Sequence, residues 1–232
     1  MIFLLFDLDG TILDFKKGEE NSLRKSLRKF NISADDGICT LYSAVNDSLW
    51  KEYEKGTISQ DEIKARRFEI FLRKIGRNDV DYAKLAKLYQ ENLSNEAILI
   101  PGAIETLGRV KGKKGISSFI ITNGTPSVQR SRIEKADIGK YFDDVFISRE
   151  IGFQKPDVRF FDYVLEKIKG VREKSIVIGD SETSDIKGAV NAGMRSIYIG
   201  KERSRLATWS VERIAESIPI IDDIAEDDLE NK

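Results

Sequence analysis

A chain of 232 residues with 41% hydrophobic side chains is long enough for one large domain, or for a core that carries a smaller insert. Its 38 basic and 39 acidic residues leave a net charge of -1, which implies no general attraction to nucleic acid or to an anionic membrane. The single cysteine, Cys39, excludes an internal disulfide and a cysteine metal cluster, and the absence of histidine removes Ser-His-Asp hydrolysis and histidine-bound zinc or iron.

Chemistry in such a chain rests on carboxylates, lysine, hydroxyls and metals that prefer oxygen. No stretch reaches the roughly 18 apolar residues that a membrane span needs. The short apolar start lacks the basic lead of a signal peptide, so the expected location is cytoplasmic.

The chain opens on Ile2 to Phe6, an apolar run that predicts a strand buried on both faces. That run stops at Asp7 and Asp9, with Gly10 and Thr11 directly behind. A buried carboxylate without a partner costs several kcal/mol or takes up a proton, so folding alone does not explain the pair. Residues i and i+2 of an extended chain point the same way. Either these two acids cap a turn, or they share a cation and a substrate.

From Gly18 to about Asn95 the apolar spacing is helical. Leu23, Leu27 and Phe30 form one stripe, and Ile38, Leu41, Tyr42, Val45, Leu49 and Tyr53 a second. Ile63, Ile70, Phe71 and Ile75 form a third, and Tyr82, Leu85, Ala86, Tyr89 and Leu93 a fourth. Gly18, Gly37, Gly56 and Gly76 punctuate them, with Ser59 and Asn78 as N-caps, so a four-helix bundle is expected.

Pro101-Gly102 marks a boundary, after which helix and strand patterns alternate. Helices are expected through Ile104, Leu107 and Val110, over Pro126 to Ile138 with Thr125 as N-cap, over Pro156 to Ile168, and over Ser184 to Ala192. Strands are expected at Ile116 to Ile121, Val145 to Ile147, Ile176 to Ile178, Ile197 to Ile199 and Ile218 to Ile221, before a fraying acidic tail, Asp222 to Glu230. This alternation implies a parallel sheet with helices on both faces. The segment between the first two strands is too long for an ordinary crossover and reads as an inserted domain.

In open parallel sheets ligands bind beyond the carboxyl ends of the strands. There the chain places Asp7 and Asp9, then Thr122-Asn123-Gly124, then Gly179-Asp180 with Asp185, while Lys155 stands before Pro156 at the mouth of a helix. Taken singly each has a plain structural reading: a turn, a surface lysine, helix caps. Together they fall at one end of one sheet.

Asp-Leu-Asp-Gly-Thr at 7–11, Thr122-Asn123, Lys155-Pro156 and Gly179-Asp180 with Asp185 resemble the four motifs of the haloacid dehalogenase (HAD) superfamily. The helical insert after the first motif is similar to the cap of its first structural subclass. Asn46-Asp47-Ser48-Leu49-Trp50 with Tyr53, Arg67-Phe68-Glu69, Ile121 to Gly124, and Gly179 to Ser181 with Ser184-Asp185-Ile186 look most like its housecleaning pyrimidine 5′-nucleotidases. The resemblance implies an α/β, Rossmann-like parallel-sheet core over 1–14 and 97–232, with a four-helix-bundle cap over 15–96 inserted into it.

It also implies a phosphomonoester hydrolase that uses Mg2+. Asp7 would be the nucleophile and form an aspartyl-phosphate, and Asp9 would act as general acid and then base. Asp7, Asp180 and the carbonyl of Asp9 would hold the metal. Thr122, the amide of Asn123 and Lys155 would bind the phosphoryl oxygens, with Asp185 and Thr11 supporting them from behind. Haloacid dehalogenases themselves do not keep an acid two residues after the first, so Asp9 argues for phosphoryl chemistry.

For substrate selection the candidates are Phe15, Asn46 and Trp50. Asn46, Trp50 and Tyr53 share one side of a helix, so that Trp50 could stack on a base while Asn46 bonds its edge; the plainer reading makes Trp50 and Tyr53 bundle core. Arg67 could meet a substrate anion or lie on the surface. The alternatives are a sugar-phosphate phosphatase of the acylneuraminate 9-phosphate type, a haloacid dehalogenase, and a protein that binds a phosphoryl ligand without turning it over. The expected partner is a small phosphomonoester, with no nucleic acid polymer and no membrane, and the protein itself a monomer or homodimer.

Overall fold

The computed structural model describes residues 1–230. Six strands, β1 (Ile2–Phe6), β2 (Ile116–Thr122), β3 (Asp144–Ile147), β4 (Ser175–Gly179), β5 (Arg195–Ile199) and β6 (Trp209–Val211), form one sheet. Their order is β3-β2-β1-β4-β5-β6, and each neighbouring pair runs parallel. β1 is therefore central. Leu5 lies opposite Phe119 on one side and Val177 on the other.

The two-residue period of the strands sorts their side chains into two cores. Leu4, Phe6, Ile120, Ile176, Ile178 and Ile197 pack on one face, together with Leu107, Ile221 and Ile224. Phe3, Leu5, Phe119, Ile121 and Val177 pack on the other, with Phe160, Phe161, Val164 and Ala189. A central strand whose two faces are both covered must read as an unbroken apolar run, which Ile2 to Phe6 does.

Between β1 and β2 lie α1 (Phe15–Arg28), α2 (Asp36–Glu54), α3 (Gln60–Lys74), α4 (Tyr82–Leu93) and α5 (Ala103–Lys111). The first four share a core of their own, built from Leu23, Leu27, Tyr42, Phe68, Phe71, Leu85 and Tyr89. The chain divides into two compact units, one of Met1–Asp14, Leu99–Pro126 and everything from Ile133 on, the other of Phe15–Ile98 and Ser127–Arg132. The second unit includes the middle of α6 (Pro126–Lys135), where Val128 joins the helical core and Arg132 donates to the carbonyl of Glu96 at 2.9 Å.

After α6 come α7 (Ser148–Ile151), α8 (Val158–Ile168), α9 (Lys187–Asn191) and α10 (Ser217–Glu230). Several expectations are corrected. The strand expected at Ile218 to Ile221 and the tail after it are one helix, α10: a four-residue apolar run does not distinguish the two, and Ile221, Ile224 and Ala225 are buried at helical spacing. The last strand is instead β6, three half-buried residues at the sheet edge that carry no alternating signal.

Gly18 and Gly37 lie inside helices, and Asp81, not Asn78, caps α4 by accepting from the amides of Ala83 and Lys84. Ser59 caps α3 in a reciprocal box with Glu62. Among the described residues no helix is long and apolar enough to cross a membrane.

Candidate active site

The motif residues Asp7, Thr11, Lys155, Asp180 and Asp185 gather at the carboxyl end of β1 and its neighbours. The amide of Asp7 donates to Ile178 O at 2.8 Å, which continues the β1–β4 pairing one residue past the strand. Leu8 is then fully buried on one face, and its carbonyl accepts from the amides of Ile12 and Leu13, so the chain turns sharply and exposes Asp9 partially. Gly10 allows that turn. Its φ is +91°, and a Cβ there would stand 2.2 Å from Asp180 Oδ2, so the backbone of the first motif lies against the carboxylate of the last. Thr11 closes the contact from the other side, its hydroxyl donating to Asp180 Oδ1 at 3.2 Å.

Lys155 sits outside any helix or strand, between α7 and α8, yet it is 1% exposed. Its Nζ donates to Asp7 Oδ1 at 2.6 Å, to Asp185 Oδ1 at 2.6 Å and to the carbonyl of Ile121 at 3.1 Å. A surface lysine is thereby excluded. The Asn123 carboxamide bonds both main-chain polar groups of Lys155, at 2.9 and 3.0 Å. Thr122 is buried, and its hydroxyl accepts from the amide of Gly124 at 3.1 Å.

Asp185 is delivered by a single π turn, Glu182–Ile186, whose i to i+5 bond runs from the amide of Ile186 to Ser181 O. The turn folds the carboxylate back onto β4. Its Oδ2 accepts from the amide of Ser181 at 3.1 Å and lies 2.2 Å from where a Cβ on Gly179 would be. Only glycine leaves room for it.

Carboxylate oxygens of Asp7, Asp180 and Asp185 lie within 4.8 Å of one another. Burial pushes the Asp7 carboxyl well up; the Lys155 ammonium pulls against this, and Asp185, Asp180 and Asp9 add to it. Burial and the Asp185 charge push Asp180 up to about 7 against the Thr11 hydrogen bond. Lys155 is held above its ordinary range, because Asp185 and Asp7 together outweigh the opposing effect of burial.

When all three acids are ionised, the one ammonium leaves an excess of negative charge, and the donors are all oxygens. That set fits a hard divalent cation such as Mg2+. Asp185 already uses both oxygens on Lys155 and Ser181, so Asp7 and Asp180 are the carboxylates of this set best suited to a metal.

The residues read as selecting a substrate lie in the helical unit. Asn46 is fully buried there: its Nδ2 donates to Glu19 Oε1 at 2.8 Å and its Oδ1 accepts from Arg67 at 3.3 Å. Both ends of the carboxamide are engaged in the unit's interior, which does not fit the expected bond to a base edge. Arg67 is not on the surface either; it is buried, with its guanidinium 4.7 Å from the Tyr89 ring centroid. Trp50 is half-buried and meets Tyr53 edge to face at 5.6 Å, and Phe15 is half-buried beneath the Arg132 guanidinium. Glu19, missed in the sequence reading, is the centre of this polar group. One of two adjacent acids, Glu19 and Glu20, in the first turns of an amphipathic helix carries no signal of which is buried.

The fold and the acid-lysine cluster together define a hydrolase of the HAD type. The chain belongs to the haloacid dehalogenase-like hydrolases, whose family profile matches residues 4–199. It is 32% identical over 224 residues to YfnB of Bacillus subtilis, assigned to the HAD hydrolases, covering 94% of each chain. A crystal structure of YfnB bound to magnesium superposes with a TM-score of 0.90, covering 95% of this chain and 98% of that one. Two pyrimidine 5′-nucleotidases are also similar: PynA of Streptococcus pneumoniae, 34% identical over 84% of this chain and 82% of its own, and YjjG of Escherichia coli, 29% identical over 92% and 95%.

Proposed function

We propose that the protein is a Mg2+-dependent phosphomonoesterase acting through an aspartyl-phosphate, with nucleoside 5′-monophosphates of the pyrimidine class as substrates. The observation that carries this reading is the Lys155 ammonium at 2.6 Å from both Asp7 and Asp185, with Asp180 in the same cluster. A buried carboxylate oriented by a lysine at the rim of a sheet is equipped to attack an electrophile whose charge must be offset.

In this mechanism Asp7 attacks phosphorus. The new bond joins its carboxylate oxygen to phosphorus as the ester P–O bond breaks, and Asp9 gives its proton to the departing alcohol oxygen. Asp9 then takes a proton from water, the water oxygen attacks phosphorus, and the Asp7–phosphorus bond breaks to release inorganic phosphate. The Thr122 hydroxyl and the amide of Asn123 hold the phosphoryl oxygens. The Lys155 ammonium, whose three N–H groups donate to Asp7, Asp185 and the carbonyl of Ile121, offsets the charge that moves onto them from beside Asp7. Asp7, Asp180 and the carbonyl of Asp9 would hold Mg2+, which supplies positive charge against an anionic substrate. The inserted helical unit would serve as the cap that selects the leaving group, with Phe15 and Trp50 as its remaining candidates.

Similarity to two named pyrimidine nucleotidases supports the nucleotide assignment, and retention of Asp9 supports phosphate over halide chemistry. The test is phosphate release with Mg2+, first from 4-nitrophenyl phosphate and then from UMP, dUMP, dTMP and sugar phosphates. Pyrimidine monophosphates are expected to lead, and a preference for sugar phosphates would move the assignment. Asp7→Asn should abolish release. Asp9→Asn should still form some aspartyl-phosphate, with turnover reduced about a hundred- to ten-thousand-fold. Full activity in Asp7→Asn removes the nucleophile from the scheme.

A further inference from the structure

We infer that the Asn123 side chain is a positioning residue for Lys155, distinct from any role of its main-chain amide. The kinetic part of this inference rests on the phosphatase reading above; the geometric part does not. Lys155 has to present its ammonium to Asp7 from a stretch that belongs to no helix and no strand. A flexible four-carbon side chain on an irregular segment would wander unless its backbone were located by something else.

A carboxamide carries a donor and an acceptor side by side, like a peptide group, and Asn123 uses both on one residue. Nδ2 donates to Lys155 O at 2.9 Å, and Oδ1 accepts from Lys155 N at 3.0 Å. This is the two-bond exchange by which paired residues of adjacent strands locate each other. The other end of Lys155 is referenced to the same stretch, since its Nζ donates to Ile121 O at 3.1 Å.

Both ends of the lysine are thus measured from Ile121–Asn123, the last residues of β2 and the one after it. β2 pairs with β1, and β1 ends at the acid that Nζ must meet. Distance from Asp7 to the ammonium is set through sheet register, with Asn123 as the link between a rigid strand and a loop. The side chain need not touch substrate to do this.

The experiment uses the full chain with Asn123→Ala and Asn123→Asp, the latter keeping the acceptor for Lys155 N but losing the donor. Amide hydrogen exchange is measured without substrate, and kcat and KM on 4-nitrophenyl phosphate with Mg2+. In Asn123→Ala the Lys155 amide should lose protection at least about tenfold, while amides of Phe119–Ile121 and Ile176–Ile178 keep theirs. With the ammonium displaced, kcat should fall about ten- to a hundredfold with KM little changed, and Asn123→Asp should lie between.

Unchanged protection at Lys155 overturns the clamp. So does a change in KM alone, which would mean a direct substrate contact. Absence of phosphate release from the unsubstituted protein overturns the phosphatase reading instead, and the exchange measurement still decides the clamp because it needs no substrate.

Discussion

Gly179 ends β4 where the Asp185 carboxylate folds back, and the space a methyl group would need is already filled at 2.2 Å. Asp185 cannot simply swing aside, because one oxygen accepts from Lys155 and the other from the amide of Ser181. Gly179→Ala should therefore leave the sheet formed but shift Asp185 and with it Lys155. The expected loss in kcat is about ten- to a hundredfold, the usual range for residues one contact behind a site. Wild-type kcat in Gly179→Ala would show that the position of Asp185 does not matter to turnover. At this scale the motif residues were legible in the chain because their types are chemically unusual at strand ends. Glu19 and the two-armed bond of Asn123 were not, because ordinary residue types acquire those roles only through partners distant in sequence.

Among the elements, the four-helix unit was readable from its stripes, since an amphipathic helix must repeat apolar residues at its own period. Its polar interior was not readable. Glu19 on α1 accepts from Ser43 and Asn46 on α2, and Asn46 accepts from Arg67 on α3, so one buried carboxylate ties three helices. Burial raises the Glu19 carboxyl from its ordinary value of 4.5; Lys16, the Ser43 bond and Arg67 oppose this, and Asp47 adds to it. A raised acid in the folded state means that the folded protein binds the proton more tightly than the unfolded chain. Stability from this group is then lost as pH rises from the ordinary carboxylate range through the raised value, and is retained below it.

Glu19→Gln can keep both bonds, because the Ser43 hydroxyl accepts as well as donates. Melting temperature measured across that pH range should decline less steeply in Glu19→Gln than in the wild type. An identical slope in the two proteins would place the titration elsewhere.

For the whole molecule, the strand order puts β1 in the middle with β2 and β4 beside it, so the three motif-bearing strands are neighbours. Their ends concentrate negative charge that a divalent ion would neutralise. If the site takes up Mg2+ as proposed, and only in the folded state, stability would rise by about 2.7 kcal/mol at a hundredfold excess over the dissociation constant. Thermal melts should therefore shift upward with added Mg2+ and return on chelation with EDTA. Asp180→Asn should lose most of that shift while still folding. An equal shift in Asp180→Asn would locate the ion at another site.

Local order in the chain determined what each segment is: an apolar run for a central strand, helical stripes for the insert, acids and a lysine with no folding reason to stand where they do. Those are properties of a residue and its near neighbours, and period and composition carry them. Tertiary structure alone decided which strand lies beside which, that the run at Ile218 is a helix, that Asn46 faces inward, and that Asn123 holds Lys155. Each of these depends on groups brought together across tens of residues, where pairing is chosen by the packing of the whole and leaves no mark on the local pattern.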